Sequence, residues 1–268
     1  MRRGPRRDYP RAAERRYRAF LLKRVRRLVR LMRRALREDV RGDDSHMELG
    51  FDADLIISRL TILAGLVAEA RESDFEEVLK GVSVSVNRSS GRSVAQLGAA
   101  AIAVPVQIPT SWTDTNLELI EDIDRDILER MSEAVLETAR TGGSMRDLER
   151  SLSDIGRIGR NRAKLIARNE VGNINAAISQ QRQTEAGVVE YIWSTSDDER
   201  VRPSHRALDG QRFRWDSGGD PIEGHPGQAI NCRCVAIPVP LVRMDQQPRW
   251  QAVNVPKQVR KRRKFPKR

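Results

Sequence analysis

Between Asp197 and Cys234 the chain collects most of the side chains with which it could do chemistry: Asp197, Asp198, Glu199, Arg200, Arg202, His205, Asp209, His225, Cys232 and Cys234. Four of them, His205, His225, Cys232 and Cys234, are zinc ligands by type. Their spacing is not that of a zinc finger, because C-x-C stands where C-x₂-C is usual and the two histidines are far apart. A structural zinc therefore stays open, as does a zinc-dependent nuclease or hydrolase built on the same four residues. A histidine base beside an acidic cluster would suit a nuclease, and Cys232 or Cys234 beside His205 would suit a cysteine nucleophile. No catalytic motif accompanies either reading. The favoured expectation is structural: Asp198, Arg200 and Arg202 pair with Arg168 and Glu170 of the preceding helix, with His205 and Asp209 in the same cluster. These charges lie beside strand-like apolar runs, where an unpaired buried charge is costly.

Such a cluster needs a scaffold. "VVEYIWS", "QRFRW" and "CVAIPVPLV" have strand composition and frame it. Ahead of them, "TDTNLELIEDIDRDILERMSEAVLETARTGG" sets Leu117, Ile120, Ile123, Ile127, Met131, Val135 and Leu136 on one helical face before a Gly142–Gly143 stop. Ser144 with Asp147 three residues on is close to a capping box. A further helix is expected from about Asn161 to Gly187. Upstream, a helix is expected from Asp52 to Lys80 with an interruption at 73–77. "GVSVSVNRSSGRS" then alternates like a strand and ends in a turn. "AQLGAAAIAVPVQIP" fits a short helix or a buried strand equally. The class is α+β: a helical N-terminal half, then a small β-rich domain packed on a long helix.

Charge divides the chain differently. Residues 1–41 hold 17 Lys/Arg against 4 Asp/Glu, and residues 257–268 hold 8 Lys/Arg and no acid, within a net charge of +12. An acidic body thus carries two basic ends, which point to a polyanion, double-stranded DNA first. From Tyr17 to Leu36 the apolar residues fall at helical spacing, so this arm reads as a basic amphipathic helix. Its apolar stripe calls for a protein partner, and Arg24, Arg27, Arg30 and Arg34 for phosphates, as do Lys261, Arg262, Arg263 and Lys264 in the tail. No run approaches the roughly 18 apolar residues of a membrane span, and the start is not a secretory signal. Two cysteines two positions apart make no disulfide framework, so a reducing compartment is expected. No glycine-rich loop has phosphate-cradling spacing, and 4% aromatics give little for base stacking. A DNA-binding regulator would fit the charge but lacks a groove-reading motif.

Taken in order, "RAKLIARNEVGNINAA", "YIWSTSDDERVRPSHRALDGQRF" and "HPGQAINCRCVAIPV" resemble the phage Mu F-like head morphogenesis (minor head protein) family. The matching positions are Ala167, Arg168 and Glu170; Trp193; Asp198, Arg200, Arg202 and His205; Asp209 and Gly210; Pro226 and Gly227; and Cys232, Arg233 and Cys234. The resemblance covers about residues 110–240. It implies a non-enzymatic virion protein of a phage or prophage, associated with the portal vertex and acting in head assembly, DNA packaging or delivery. Its implied partners are the portal protein, capsid or scaffold components and packaged DNA, and its implied location is the virion, with the host cytoplasm during assembly. The expected organisation is a basic arm at 1–41, a helical docking region at 42–109, the Mu F-like domain at 110–240 and an extended basic tail at 241–268.

Overall fold

A computed structural model describes residues 9–40, 53–94 and 106–239. The expected linker at 41–50, most of the undecided "AQLGAAAIAVPVQIP" segment and the basic tail with Lys261, Arg262, Arg263 and Lys264 lie outside the described residues. The chain is α+β as expected: six helices and a three-stranded antiparallel sheet in the described residues.

The first helix, α1 (Arg11–Val40), carries Tyr17, Leu21, Val25, Leu28, Met32 and Leu36 along one face, and all are buried. They pack inside this chain, chiefly on α5 (Met145–Glu185), and not on a partner. The stripe that the sequence offers as a docking surface is the middle of the protein's own core. At about 1.5–3 kcal/mol per large apolar side chain, this face is too costly to expose once α5 is there to cover it.

α2 (Ala53–Glu69) and α3 (Arg71–Val94) replace the single interrupted helix expected from the sequence, with the break at Ala70 ahead of the expected 73–77. The alternating "GVSVSVNRSSGRS" is the second half of α3 and not a strand. Val82, Val86 and Ser90 face inward at helical spacing, and the Ser90 hydroxyl donates to the Val86 carbonyl. The alternation placed serines, which a helix tolerates, between the valines, and packing on α1 and α5 decided the conformation.

α4 (Thr110–Thr141) ends where the two glycines predict, with Gly142 left-handed at φ 66°. Ser144 and Asp147 then close a reciprocal capping box and start α5. The two helices expected after Gly143 are one, 41 residues long, about 60 Å at 1.5 Å per residue. The "IGRIG" glycines lie inside it. A Cβ on Gly159 would stand 2.8 Å from Ile127 Cδ1 and 3.1 Å from Val25 Cγ1, so this glycine lets α1 and α4 close on α5 together.

After Gly187, left-handed at φ 79°, the chain turns into β1 (Glu190–Ser194). A short helix α6 (Pro203–Leu208), β2 (Arg212–Arg214) and β3 (Val235–Pro238) follow, and the sheet order is β2-β1-β3. β1 pairs with both neighbours, Tyr191 opposite Phe213 and Trp193 opposite Ala236. Tyr191, Trp193, Trp215 and Ala236 form a second, smaller core with the two cysteines.

Four helices meet at Arg24. Its guanidinium is bonded to Asp124 of α4 and donates to the Val67 carbonyl of α2 at 3.2 Å, with Asp74 of α3 at 4.0 Å. Arg24 is therefore a core residue, buried to 4% exposure, and not the DNA contact expected of it. A buried pair contributes little net stability, but an orphaned partner is expensive. Asp124→Ala is expected to cost about 3–5 kcal/mol, a fall in Tm on the order of 10 °C. Arg24→Met with Asp124→Leu should recover most of that loss in the same thermal melts.

Candidate functional site

The second core places its polar groups through three turns. The first follows β1. The Asp209 carboxylate accepts hydrogen bonds from the Thr195 amide at 2.8 Å and the Thr195 hydroxyl at 3.0 Å. The turn beyond it is fixed by Gly210 N–H on the Trp193 carbonyl and Trp193 N–H on the Gln211 carbonyl. The intervening chain forms α6, whose His205 turns inward and meets Trp193 edge-on at 5.0 Å.

The second turn was missed by the sequence reading. In "GDPIEGH" the Asp220 carboxylate accepts from the Ile222 and Glu223 amides, both at 2.9 Å, and Gly224 takes φ 74°. That loop carries Glu223 to His205, where its Oε2 stands 2.5 Å from Nε2. Arg202 bonds the other Glu223 oxygen and donates to the Ile230 carbonyl at 2.6 Å. The Arg202 hydrogen bond holds the Glu223 carboxyl below the usual carboxylate range, so Glu223 stays charged. A D-P turn followed by a lone glutamate was the signal available in the sequence.

The third turn is "NCRC". Asn231 is left-handed at φ 58°, and its amide donates to the Asn169 side chain of α5 at 3.1 Å. Cys232 and Cys234 then present both sulfurs to the same histidine nitrogen: Nδ1 of His205 lies 3.5 Å from Cys232 Sγ and 3.6 Å from Cys234 Sγ. The Cys234 amide donates to Cys232 Sγ at 3.4 Å. The neighbouring Cys234 thiol, with those amide contacts and His205, holds the Cys232 thiol down to about 6 despite its burial. All three ligand-type residues are buried.

His205, Cys232 and Cys234 thus come together, and they could hold a metal; His205 with Asp220 and Glu223 is a second, less buried grouping. His225 is in neither. It accepts or donates at 2.8 Å with the Tyr191 hydroxyl and packs on Trp215 at 4.9 Å, where burial lowers its proton affinity. The four-ligand set of the sequence reading loses that histidine to the aromatic core.

The expected charge network is also redistributed. Arg168 reaches Glu14 of α1 at 3.8 Å, and Glu170 faces the helical body, accepting from Asn169 at 2.9 Å and from Asn116 at 3.4 Å. Asp198 pairs with Arg233 at 2.7 Å and caps the Arg200 amide at 3.1 Å. Arg168 and Glu170 therefore do not bond to Asp198, Arg200 or Arg202. Arg168, Arg200, Arg202 and Arg233 do line one cleft of about 130 Å³ with Ser196, Asn231, His205 and both cysteines. Of the sequence-predicted DNA contacts, Arg27 is half-buried, Arg30 and Arg34 are exposed, and Arg24 is buried.

Chemically, the line from Cys232 through His205 to Glu223 has the order of a nucleophile, base and orienting carboxylate. Two thiols sharing one imidazole nitrogen in a buried site also suit metal binding.

The class defined by this fold is a helical body with a small antiparallel sheet docked on its longest helix. Residues 129–237 match the family described as Phage Mu protein F like protein. That stretch of the chain is therefore similar to the Mu F-like family, which supports a phage head morphogenesis protein. A protein of Haemophilus influenzae described as uncharacterized is 41% identical over 128 residues, 47% of this chain. The chain spans 28% of that protein's length. No solved structure matches.

The geometry ranks the polar residues. Asp209→Ala leaves two buried donors on Thr195 unmet and should cost about 1–3 kcal/mol in urea unfolding. Asp198→Ala and Arg168→Ala each break a half-buried ion pair that stays partly screened by solvent, and should each cost less, about 1 kcal/mol.

Proposed function

We propose that this chain is a phage or prophage minor head protein that acts at the portal vertex in capsid assembly and in DNA packaging or delivery, with no catalytic role. In this reading it belongs to the virion, and to the host cytoplasm during assembly. No helix among the described residues is long and apolar enough to cross a membrane. The Mu F-like domain supports the head assignment.

The observation that carries the DNA contact is the outer face of α1. Its inner face is core, yet Arg15, Arg26, Arg30 and Arg34 all remain exposed on the outer side. From Arg15 to Arg34 this face runs about 28 Å. A rigid row of guanidinium groups of that length suits a duplex backbone, which it would bind without sequence preference by releasing counterions. The portal and capsid partners follow from the family reading.

The full chain should bind unrelated duplex DNAs equally, with affinity falling steeply as salt rises. Arg15→Glu, Arg26→Glu and Arg30→Glu together, at positions that do not touch the core, should weaken binding. The log–log salt slope should flatten by about 0.9 for each phosphate that is no longer neutralised. Unchanged affinity and slope in that folded triple variant would remove α1 as the DNA surface.

A further inference from the structure

We propose that Cys232 Sγ, Cys234 Sγ and His205 Nδ1 bind one zinc-class divalent cation, with Glu223 orienting the histidine from its other nitrogen. This goes beyond the head-protein reading and stands without it.

The distances carry the argument. A tetrahedral zinc with Zn–S of about 2.3 Å and Zn–N of about 2.0–2.1 Å has N···S edges of about 3.5 Å. The two edges here are 3.5 and 3.6 Å. Both thiols thus stand where two ligands of one ion would stand relative to the third. A single imidazole lone pair can accept from only one thiol, whereas one ion would meet both sulfurs and the nitrogen together.

The far side of the ring supports the same ion. Nε2 faces Glu223 Oε2 at 2.5 Å, the place from which a carboxylate orients a metal-bound histidine through its second nitrogen. Glu223 is itself held by Arg202 and by the Asp220 turn. The Cys234 amide bonded to Cys232 Sγ is the contact expected of a thiolate ligand.

Charge and burial also agree. Two thiolates, a neutral imidazole and a divalent cation sum to zero, which suits ligands only 2%, 6% and 5% exposed (His205, Cys232 and Cys234). The fourth position opens on the cleft of about 130 Å³, ample for the one water that would fill it. Asn231 Oδ1 lines that cleft, is buried and has no hydrogen-bond partner among the described residues, so it can receive that water. The competing group of His205, Asp220 and Glu223 offers only one nitrogen and harder oxygens in a more exposed place, and zinc prefers the thiolates.

The ion would act as a staple. The small sheet has three short strands and a core of few residues, too little to hold such a unit by apolar burial alone. One ion would tie α6 to the segment entering β3.

The test is metal analysis of the full chain purified under reducing conditions. About one zinc per chain is expected. Cobalt(II) exchanged into it should show thiolate-to-cobalt charge transfer and the strong visible bands of a tetrahedral site. Cys232→Ser and Cys234→Ser should each lose most of the metal, whereas His225→Ala should keep it. Should the serine variants misfold, the wild-type cobalt spectrum and His205→Cys, which replaces nitrogen by a third thiolate and should retain zinc, still decide. A metal-free, cooperatively folded wild type that takes up no cobalt would overturn the proposal. So would cobalt bound without charge transfer, zinc retained by the Cys232→Ser, Cys234→Ser double variant, or a metal-free protein in which one equivalent of iodoacetamide alkylates Cys232, the mark of a nucleophile.

Discussion

Close approach to α5 is the constraint on which the rest of the structure depends. A helix of 41 residues can serve as an axis only if its neighbours come near enough to exclude water along most of its length. Gly156, Gly159, Ala163 and Ala167 recur at three- and four-residue spacing and form a small-residue strip on one face. Val29 meets it at Gly156, and Val25 with Ile127 at Gly159. Further along, Gly172 receives the Cys232 carbonyl, and Ala176 receives Gly227, whose φ of 93° only glycine adopts readily. One helix thus carries the helical body along most of its length and, on its second half, the sheet as well.

The two halves attach by different means. The body uses apolar burial, with Arg24 as its polar junction. The sheet uses directed hydrogen bonds: Gln183 donates to the Ala236 carbonyl at 3.0 Å and accepts from the Trp215 indole at 3.3 Å, and Asn169 receives the Asn231 amide. Such bonds fix register and orientation with little area, which suits a unit whose own core is small.

How much of this was legible depends on what each signal reports. Helix ends were readable because capping is local, as Gly142, Ser144 and Gly187 show. The strands were readable because their composition and turns coincide. The stripe on α1 was readable as buried but not against what, since periodicity identifies a face and never its partner. The outward assignment of Arg24 failed for the same reason: a cation among apolar positions looks solvated until a distant Asp124 is brought to it. Of the site, His205, Cys232 and Cys234 could be nominated by type. Glu223 was missed because its one signal was the Asp220 turn that delivers it, and His225 was nominated wrongly because ligand type says nothing about ring packing. Asn169, between the two α5 charges singled out in the sequence, makes a helix-to-sheet bond in their place, to Asn231 and not to Asp198, Arg200 or Arg202.

The position of the cluster follows from the same axis. Residues 231–234 bring the sulfurs to His205, donate to Asn169 and lay the Cys232 carbonyl on Gly172. A four-residue segment with those three obligations has little freedom left. Anything that displaces the sulfurs must also lift the segment from α5, and any side chain at position 172 must push the sulfurs toward His205 or away from it. The polar knot and the docking of the sheet are therefore one structural event. That explains why so many ionisable groups are concentrated where the smaller core meets the long helix.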